Sequence, residues 1–319
     1  MLKVIATDGL HKMAQAAFAA EEGVELSVPE EMVPADLPTL LKNYDVLIVR
    51  SATKVTKELL QNASHLKAVI RAGVGVDNID LPAARKLNIP VWNAPNGNFQ
   101  SAAELTIAMI FAVARSLPQA SQAMKNAHWA KKELAPFGRQ ILGATLGLFG
   151  AGNIGGRVAK MASAIGMNVI ICDPYLKDAL FEKVKWQELL KRSDFITLHT
   201  PFLPETKHKF NYEAFCQMKD SAFVVNVSRG GVMNDSDLLK ALQEKQIAGA
   251  ALDVFEKEPM PFKELPYCEL IKEGRLILSP HMGASTKEAQ ESVGMECLQK
   301  VLALKGHLDG HNPNLAASL

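Results

Sequence analysis

A glycine-rich turn and a later aspartate are the residues of this chain whose types and spacing most directly suggest chemistry. An apolar run leads into the turn Gly150–Gly155, a helical segment follows, and a second apolar run ends at Asp173. Glycine permits a sharp turn at Gly150, close approach of a pyrophosphate at Gly152, and close packing of a helix on a strand at Gly155. The order of strand, glycines, helix, strand and acid therefore predicts a dinucleotide-binding unit.

Asp173 indicates which dinucleotide is bound. Its carboxylate can accept hydrogen bonds from both hydroxyls of the adenosine ribose, and it would repel a 2′-phosphate. The N-terminus of the following helix supplies N–H groups and a positive dipole, so the pyrophosphate needs no lysine. We therefore predict NAD as the cofactor.

The composition is that of an ordinary globular protein. The 319 residues exceed the size at which a single core usually keeps growing, so two domains are expected. Hydrophobic residues make up 48% of the chain and charged residues 22%. Because the formal net charge is only +1, there is no bulk electrostatic reason to expect nucleic acid or an anionic membrane as a partner. We predict small-molecule partners, no nucleic acid and no membrane.

The cysteines and the apolar segments bear on location. The N-terminal residues are strand-like and soon polar, unlike a signal peptide, and the apolar helical stretch Leu105–Ala114 is too short to span a bilayer. Four cysteines are scattered without a CxxC pair, as is typical of reduced thiols; they are Cys172, Cys216, Cys268 and Cys297. We expect a cytoplasmic protein that is not exported and binds no metal.

Apolar runs alternate with helical segments in both halves of the chain. In the first hundred residues the predicted strands are Val4–Ala6, Val46–Val49 and Val69–Ile70, and the predicted helices include Leu37–Lys42 and Leu81–Leu87. Six further strands are predicted at Leu146–Phe149, Val169–Cys172, Phe195–Leu198, Phe223–Val227, Ala248–Leu252 and Leu276–Leu278. This alternation predicts an α/β fold with two doubly wound parallel sheets.

The domain boundaries follow from a turn-rich segment and from the last helix. Residues 93–98 break the first pattern before a long helix, which is predicted to begin near Ser101 with Glu104 as a capping-box acid. The helical pattern at 287–305 comes after the second sheet is complete and must pack elsewhere. We predict a discontinuous first domain, residues 1–98 and 285–319, and a second domain of residues 99–284.

Five blocks of sequence, in this order, resemble the D-2-hydroxyacid dehydrogenase family. They are Arg50–Thr56, Arg71–Asn78, Asn226–Gly231, Ala251–Pro259 and Pro280–Thr286. The resemblance covers nearly the whole chain and is closest to members that act on D-3-phosphoglycerate. It implies two Rossmann-like domains with a cleft between them, the discontinuous one binding substrate and the other binding NAD.

The family's catalytic arginine, glutamate and histidine fall on Arg229, Glu258 and His281. Each follows a predicted strand of the second domain, and in open parallel sheets ligands bind outside the carboxyl ends of the strands. In the implied reaction His281 accepts the hydroxyl proton, Glu258 orients the imidazole and Arg229 holds the substrate carboxylate. Taken singly, each residue has a structural alternative. Arg229 could be a solvated cation in a glycine turn, Glu258 an acid in a turn before proline, and His281 a buried histidine hydrogen-bonded to the backbone.

The resemblance also implies cofactor contacts on the pyrophosphate, near the adenosine and toward the nicotinamide. The backbone of Asn153 and Ile154 would contact the pyrophosphate, and Thr200 and Val227 would lie near the adenosine. Asp253 and Gly283 would lie toward the nicotinamide. Ser228 and Ala284 are further predicted cofactor contacts beside these residues. For Asp253 an alternative is a strand-end acid that accepts hydrogen bonds from local N–H groups.

Two arginines at the ends of neighbouring predicted strands bear on the substrate. Arg50 and Arg71 would reach the same sheet edge, where two guanidinium groups suit a phosphate dianion better than a neutral group. The alternative for each is a structural ion pair. Val74 stands where close relatives have a small hydroxylic residue. The predicted pocket is completed by Ser51, Gly75 and Asn98. The resemblance then implies oxidation of D-3-phosphoglycerate to 3-phosphohydroxypyruvate, the entry step of serine biosynthesis.

The remaining expectations concern assembly and the competing functions. The segment Gln119–Leu134, which contains Trp129, forms a twofold interface in the family, so a homodimer is predicted; a solvated amphipathic helix is the alternative. No C-terminal regulatory domain is expected after Leu319. The rival activities are a glyoxylate or hydroxypyruvate reductase and a broad D-2-hydroxyacid dehydrogenase. From a different class, an NAD-sensing corepressor would act by binding proteins.

Overall fold

The computed structural model describes residues 1–135, 138–177, 180–260 and 267–310, apart from the side chains of Pro34 and Cys268. The chain divides into two compact units: unit 1 is Met1–Phe99 with Ala284–Leu319, and unit 2 is Gln100–Gly283. Each boundary differs by one residue from the predicted one. Two parts of the predictions, residues 311–319 of the first domain and the Cys268 side chain, lie outside the described residues.

The described residues form twelve strands and thirteen helices. The strands are β1 (Leu2–Ala6), β2 (Val24–Ser27), β3 (Val46–Val49), β4 (Ala68–Arg71), β5 (Val91–Asn93), β6 (Thr145–Phe149), β7 (Asn168–Cys172), β8 (Glu182–Lys183), β9 (Phe195–Leu198), β10 (Phe223–Asn226), β11 (Gly249–Leu252) and β12 (Leu276–Leu278). The helices are α1 (Lys12–Ala19), α2 (Leu37–Leu40), α3 (Lys57–Asn62), α4 (Leu81–Lys86), α5 (Phe99–Arg115), α6 (Leu117–Lys125), α7 (Lys131–Leu134), α8 (Asn153–Ala164), α9 (Trp186–Arg192), α10 (Tyr212–Cys216), α11 (Asp235–Gln243), α12 (Cys268–Lys272) and α13 (Lys287–Leu308).

Unit 1 is built on a parallel five-stranded sheet in the order β2-β1-β3-β4-β5. Successive strand residues point to opposite faces, so each face has its own apolar cluster. Ile48 packs in one cluster with Phe18 of α1 and Val301 of α13, whereas Leu47 packs in the other with Leu60 of α3. The last helix therefore returns to the first unit, as the sequence predicts.

Unit 2 is built on a parallel seven-stranded sheet in the order β12-β11-β10-β9-β6-β7-β8. Val225 packs with Val158 of α8 on one face, and Val224 packs with Leu238 of α11 on the other. The strand order reverses between β6 and β9. In doubly wound sheets the carboxyl ends of the strands at such a reversal are where ligands bind.

The prediction of six strands in unit 2 is wrong, because the sheet has a seventh, β8. Its two residues, Glu182 and Lys183, are exposed and charged, so they form no apolar run. Strands β2 and β5, at the two edges of unit 1, were also not predicted. Both are short, and Val24–Ser27 is largely half-buried rather than buried. Strand β2 buries little apolar surface and β5 has only three residues, so neither forms a clear apolar run.

Helix α5 begins at Phe99, two residues before the predicted start near Ser101, and the predicted capping box is wrong. The Ser101 hydroxyl donates a hydrogen bond to the carbonyl of Gly283 at 2.8 Å. Glu104 accepts from a glutamine side chain of the previous turn rather than capping the helix. Among the described residues no single helix is long and apolar enough to cross a membrane. Residues 96–115 and helix α6 reach that length and hydropathy only when they are taken together, and a bend of 67° separates them.

Candidate active site

The glycine-rich turn follows β6 and opens α8. Gly150 has a φ of +91°, and a Cβ there would lie 2.8 Å from the carbonyl oxygen of His199. A Cβ on Gly155 would lie 2.4 Å from the carbonyl oxygen of Gly150. Both positions therefore require glycine because of the protein's own packing. Gly152 is different: it is the N-cap of α8, and no described atom lies within 4 Å of its Cβ position, so the backbone is open to close approach by a ligand.

Asp173 directly follows β7 and is hydrogen-bonded to the glycine-rich turn. Its Oδ2 accepts from the N–H of Ala151 at 2.8 Å, and its Oδ1 accepts from the N–H of Tyr175 at 2.9 Å. An ionised carboxylate has about four lone-pair sites, so both oxygens keep the capacity to accept from ribose hydroxyls. The acid is thereby fixed beside the turn.

The end of β9 places two more polar side chains beside the same turn. The Nε2 of His199 and the Oγ1 of Thr200 are buried and have no hydrogen-bond partner among the described residues. Burial lowers the pKa of His199 to about 3, so the ring is neutral near pH 7. The sequence analysis singled out Thr200 and missed His199. Buried polar atoms of this kind are usually satisfied by a ligand or water.

These features fit a dinucleotide. The N–H groups of Asn153 and Ile154 lie in the first turn of α8 and have no acceptor within the helix, so they would bind the pyrophosphate. Asp173 would bind the adenosine ribose, and Thr200 has an unsatisfied buried hydroxyl beside the turn. The same acid, as a fixed negative charge, disfavours a 2′-phosphate at this position.

Glu258 and His281 form a hydrogen-bonded pair. His281 follows β12, and its Nδ1 lies 2.7 Å from Oε2 of Glu258. With the carboxylate ionised, Nδ1 carries the proton and donates it, which leaves Nε2 as an acceptor. The His281 side chain is 37% exposed, so the alternative of a buried structural histidine does not apply. His281 also has a φ of +54°, a left-handed conformation that is uncommon for a non-glycine residue.

The ionisation of Glu258 is shifted by its surroundings. Burial is the largest single effect and raises its pKa, but the hydrogen bond and charge of His281, the N–H of Phe255 and the charge of Arg229 together outweigh burial. The net result is a pKa below the usual value for glutamate. Glu258 is therefore negative near neutral pH and can stabilise an imidazolium on His281.

Arg229 lies in the turn that follows β10, within electrostatic range of Glu258. The buried Asn226 shapes this turn, because its amide donates to the carbonyl of Arg229 and accepts from the N–H and hydroxyl of Ser228. A Cβ on Gly230 would lie 1.9 Å from the backbone of Phe255. The turn that contains Arg229 and the segment after β11 are thus in direct backbone contact.

Asp253 is fully buried at the end of β11 and is surrounded by donors. Its carboxylate accepts from the N–H groups of Met282 at 2.7 Å and Gly283 at 2.8 Å, and from the Ser279 hydroxyl. Its carbonyl accepts from the N–H of His281 at 2.8 Å. Asp253 therefore holds the segment that contains His281, which is the role of a strand-end acid that accepts hydrogen bonds from local N–H groups. That Asp253 also lies toward the nicotinamide stays a prediction.

In unit 1, Arg50 and Arg71 reach the same edge of the sheet, because β3 and β4 pair with Val49 opposite Arg71. The turn after β3 is fixed by Asp8, whose Oδ2 accepts from the N–H groups of Arg50 at 2.7 Å and Thr53 at 3.0 Å. The amide of Asn78 donates to the carbonyls of Arg50 and Thr53. Within this turn Ser51 is exposed.

Arg71 lies over the next turn of unit 1. Its Nη1 donates to the carbonyl of Ala72 at 3.1 Å, and a Cβ on Gly73 would lie 1.6 Å from that same nitrogen. Gly73, with a φ of +141°, thus gives the guanidinium its space. Val74 and Gly75 follow in the same turn and are half-buried, and Asn98 is buried in the 3-10 turn before α5.

The structure thus brings together the three predicted catalytic residues and, beside the glycine-rich turn, Asp173 and Thr200. Val227 and Gly283 also lie together, since a Cβ on Gly283 would be 3.3 Å from the Val227 side chain. Ala284 belongs to unit 1. The sequence analysis missed three residues that hold the turns, namely Asp8, Asn226 and Ser279. All are polar residues close to strand ends, which is the signal that could have identified them. Among the described residues there is no group of three or more His, Cys, Asp or Glu side chains that could hold a metal ion.

Comparison with known proteins is consistent with this geometry. Residues 107–283 match the model of the D-isomer specific 2-hydroxyacid dehydrogenase, NAD binding domain. Fold and site define an NAD-binding α/β protein with an arginine, a glutamate and a histidine at the carboxyl edge of the sheet. The chain belongs to the D-isomer specific 2-hydroxyacid dehydrogenase family. The predictions of the family, of two parallel-sheet units and of NAD as the cofactor are confirmed.

Individual relatives differ in length and in substrate. A D-3-phosphoglycerate dehydrogenase of Methanocaldococcus jannaschii is 43% identical over 95% of this chain, which spans 58% of that protein. A hydroxypyruvate reductase of Thermotoga maritima is 40% identical over 94% of this chain and 97% of its own length. The crystal structure of D-lactate dehydrogenase from Aquifex aeolicus, complexed with NAD and lactic acid, superposes with a TM-score of 0.85 at 30% identity, over 97% of this chain and 96% of that one.

The lowered pKa of Glu258 predicts how its contribution to stability depends on pH. Because the pKa is lower in the folded than in the unfolded protein, the contribution is present above the ordinary value of 4.5 and is lost as pH falls through the folded value. The free energy of unfolding of the wild type should exceed that of Glu258→Gln by about 1 kcal/mol or less at pH 6, and the difference should shrink as pH falls below 4.5. Urea unfolding across this range measures it.

The matched control is Glu269→Gln, in an exposed ion pair with Lys272 on the same unit. Its difference from the wild type should stay near zero throughout. A Glu258→Gln difference that is independent of pH would contradict the assignment.

Proposed function

We propose that the protein oxidises D-3-phosphoglycerate to 3-phosphohydroxypyruvate with NAD, as an enzyme of serine biosynthesis. The single observation that supports this chemistry best is the pair of Glu258 and His281, whose Oε2 and Nδ1 atoms lie 2.7 Å apart. A neutral imidazole with one nitrogen held by a carboxylate is a suitable proton acceptor near neutral pH. NAD, when bound, supplies the nicotinamide carbon that receives the hydride from C2 of the substrate.

The proton is handled by His281. As the hydride leaves C2, the hydroxyl oxygen becomes a carbonyl oxygen and its proton passes to Nε2 of His281. The imidazolium that forms is stabilised by the negative charge of Glu258, while the hydrogen bond at Nδ1 keeps the ring oriented. In the reverse direction the same nitrogen returns the proton.

Arg229 would bind the substrate carboxylate. A guanidinium can donate two parallel hydrogen bonds to a carboxylate and can polarise the neighbouring C2 oxygen, which a lysine would do with less directional control. Asn226 and Gly230 fix the turn that contains Arg229. Binding geometry of this kind accounts for a large part of enzymatic rate enhancement.

The choice of a phosphorylated substrate depends on Arg50 and Arg71. Arg50 follows β3, and Arg71 is the last residue of the neighbouring strand β4. Asp8 fixes the turn at Arg50, and Gly73 gives the guanidinium of Arg71 its space. A phosphate dianion gains charge-assisted hydrogen bonds from guanidinium groups, whereas a neutral substituent gains little. Ser51, Gly75 and Asn98 complete the proposed pocket, and Val74 contributes no hydroxyl.

A hydroxypyruvate reductase is the second candidate, and one observation favours it. The Thermotoga maritima hydroxypyruvate reductase is 40% identical over 94% of this chain, nearly as similar as the Methanocaldococcus jannaschii D-3-phosphoglycerate dehydrogenase at 43% over 95%. Both activities would use the same arginine, glutamate and histidine. They differ in whether a phosphate group must be bound.

His281→Asn should reduce kcat by several orders of magnitude while the Kd for NAD changes less than about twofold, because Asn cannot accept the proton. Turnover is measured by NADH absorbance and NAD binding by calorimetry. The control is His11→Asn, since His11 is the N-cap of α1 and Asn is a favoured N-cap residue. A His281→Asn protein with near-normal kcat would refute the assigned role.

Arg50→Ala separates the two candidate substrates. For a phosphoglycerate dehydrogenase, kcat/KM should fall about 10- to 100-fold or more for phosphorylated acids and little for hydroxypyruvate or glyoxylate, since a charged hydrogen bond is lost only where a phosphate is present. The control is Arg85→Ala, an exposed arginine on α4 of the same unit. Equal losses for both classes of substrate, or none, would favour the reductase.

We further propose that the protein is a homodimer located in the cytoplasm. The segment Gln119–Leu134 includes most of α6, in which no residue is buried. Apolar side chains are exposed in and next to it: Leu117 is 51%, Met124 56% and Trp129 75% exposed. Contiguous exposed apolar surface of this kind is typical of interfaces. The three cysteine side chains that the structure describes, Cys172, Cys216 and Cys297, are unpaired, which favours the cytoplasm.

Trp129→Glu should convert the dimer to a monomer, because a charge would be buried at the interface without a partner. Equilibrium sedimentation at micromolar concentration measures this, with Leu180→Glu, an exposed leucine outside the segment, as the control. A wild-type protein that sediments only as a monomer would refute the dimer.

A further inference from the structure

Three ionisable side chains lie beside the catalytic residues and have no role in the proposed chemistry. Glu256 is two residues before Glu258 in the segment after β11, Asp235 is the first residue of α11, and His208 lies between β9 and α10. They are far apart in sequence and hydrogen-bonded in space. We refer to His208, Asp235 and Glu256 as the acidic link.

The two carboxylates of the acidic link bind each other's backbone. The N–H of Asp235 donates to Oε2 of Glu256 at 2.8 Å, and the N–H of Glu256 donates to Oδ2 of Asp235 at 3.1 Å. The other oxygen of Glu256, Oε1, is hydrogen-bonded to Nε2 of His208. Glu256 therefore joins two other segments through its two oxygens.

The backbone around the acidic link completes the connection to Arg229. The N–H of His208 donates to the carbonyl of Gly231 at 2.9 Å, in the turn directly after Arg229. Gly230 lies against the backbone of Phe255, where a Cβ would be 1.9 Å away. The turn of Arg229 and the segment of Glu258 are thus held together by hydrogen bonds and by backbone packing.

This arrangement is costly for the folded state. Asp235 is only 5% exposed. Its burial, which is the largest effect, and the charges of Glu256 and Glu258 raise its pKa to about 6. The hydrogen bond from the Glu256 N–H and the charge of His208 lower the pKa but do not outweigh these effects. The hydroxyl of Tyr267 is buried beside these charges without a hydrogen-bond partner in the described chain, and burial and the charges of Asp235 and Glu256 raise its pKa.

An apolar contact would hold the same segments at lower cost, because replacing buried charges by well-packed apolar groups is often neutral or stabilising. What apolar contacts lack is direction. Hydrogen bonds to both oxygens of one carboxylate define a single arrangement of the three segments, whereas apolar packing tolerates sliding.

We propose that His208, Asp235 and Glu256 are positioning residues that fix the Glu258 segment and the Arg229 turn in one arrangement, so that Glu258 stays on Nδ1 of His281. The chemistry that they support rests on the function proposed above. The linkage itself is a property of the fold, and it can be tested without turnover.

The test compares Glu256→Gln and Glu256→Asp with the wild type. The first variant removes the charge and keeps the length, and the second keeps the charge but is too short to reach both Asp235 and His208. The matched control is Glu244→Gln, a carboxylate at the opposite end of α11 that is hydrogen-bonded to Tyr212.

The primary measurement is the tautomer of the His281 ring, determined from its ring 15N chemical shifts in histidine-labelled protein at alkaline pH, with His281→Asn used to assign its signals. If Glu258 moves off Nδ1, the ring loses the acceptor that holds its proton there, so the fraction of rings with the proton on Nε2 should rise in both Glu256 variants. The control should match the wild type. A rise in Glu256→Gln alone would show an effect of charge only and would overturn the positioning role, as would no change in either variant.

Kinetics supply the second measurement. In both Glu256 variants kcat should fall roughly 10- to 100-fold, as expected for a misplaced catalytic group, with the KM for NAD within about twofold. If the Glu256 variants have a lower melting temperature but an unchanged kcat, the acidic link only stabilises the fold, and the proposed positioning role is overturned. If the wild type turns over no 2-hydroxy acid, the proposed function fails, whereas the NMR measurement of the His281 tautomer still decides the linkage.

His208 offers the same test if the Glu256 variants do not fold. Its side chain is 33% exposed, so substitution should be tolerated. His208→Ala should raise the fraction of His281 rings with the proton on Nε2, and His208→Gln, which retains an N–H donor, should reverse this change at least in part. Identical His281 ring signals in His208→Ala and the wild type would overturn the proposal.

Discussion

The arrangement of the predicted catalytic residues depends on one buried carboxylate, that of Asp253. It lies at the end of β11, fully buried, and it accepts hydrogen bonds from the N–H groups of Met282 and Gly283 and from the Ser279 hydroxyl. Its own carbonyl accepts from the N–H of His281. A buried carboxylate is stable only with donors around it, so the segment after β12 must follow a path that supplies them. That path brings His281 to Glu258.

The same device recurs at two other strand ends. Asp8 follows β1 and accepts from the N–H groups of Arg50 and Thr53, and Asp173 follows β7 and accepts from the N–H of Ala151. In each case an acid at the carboxyl end of one parallel strand binds the backbone of a neighbouring turn. Parallel strands end at one edge of a sheet, so the turns that follow them are neighbours and their unpaired N–H groups need acceptors.

Glycines have the complementary role of removing volume. A Cβ on Gly150 or Gly230 would lie within 3 Å of the backbone of another segment. A Cβ on Gly155 would lie within 3 Å of the backbone of its own turn. Close backbone approach shortens the distance between turns, and the strand-end acids then bind across that distance.

Local pattern was sufficient for much of the fold and for the dinucleotide-binding turn. Apolar runs revealed the central strands, glycine spacing revealed the turn after β6, and Asp173 revealed the cofactor, because each of these depends on residues that are close in sequence. The resemblance to a family added Arg229, Glu258 and His281. The charged two-residue strand β8 and the start of α5 escaped prediction, since neither has a local signal of its own.

The sequence by itself determined the type of fold and the binding of NAD, and it supplied the prediction that Arg229, Glu258 and His281 are the reactive side chains. Only the tertiary structure decided that Asp253 holds the His281 segment, that Ser101 bonds to Gly283 rather than capping α5, and that His208 and Asp235 meet at Glu256. The physical reason is that these hydrogen bonds join residues separated by 21 to 182 positions, so their partners are selected by the packing of strands and turns and leave no periodic trace along the chain.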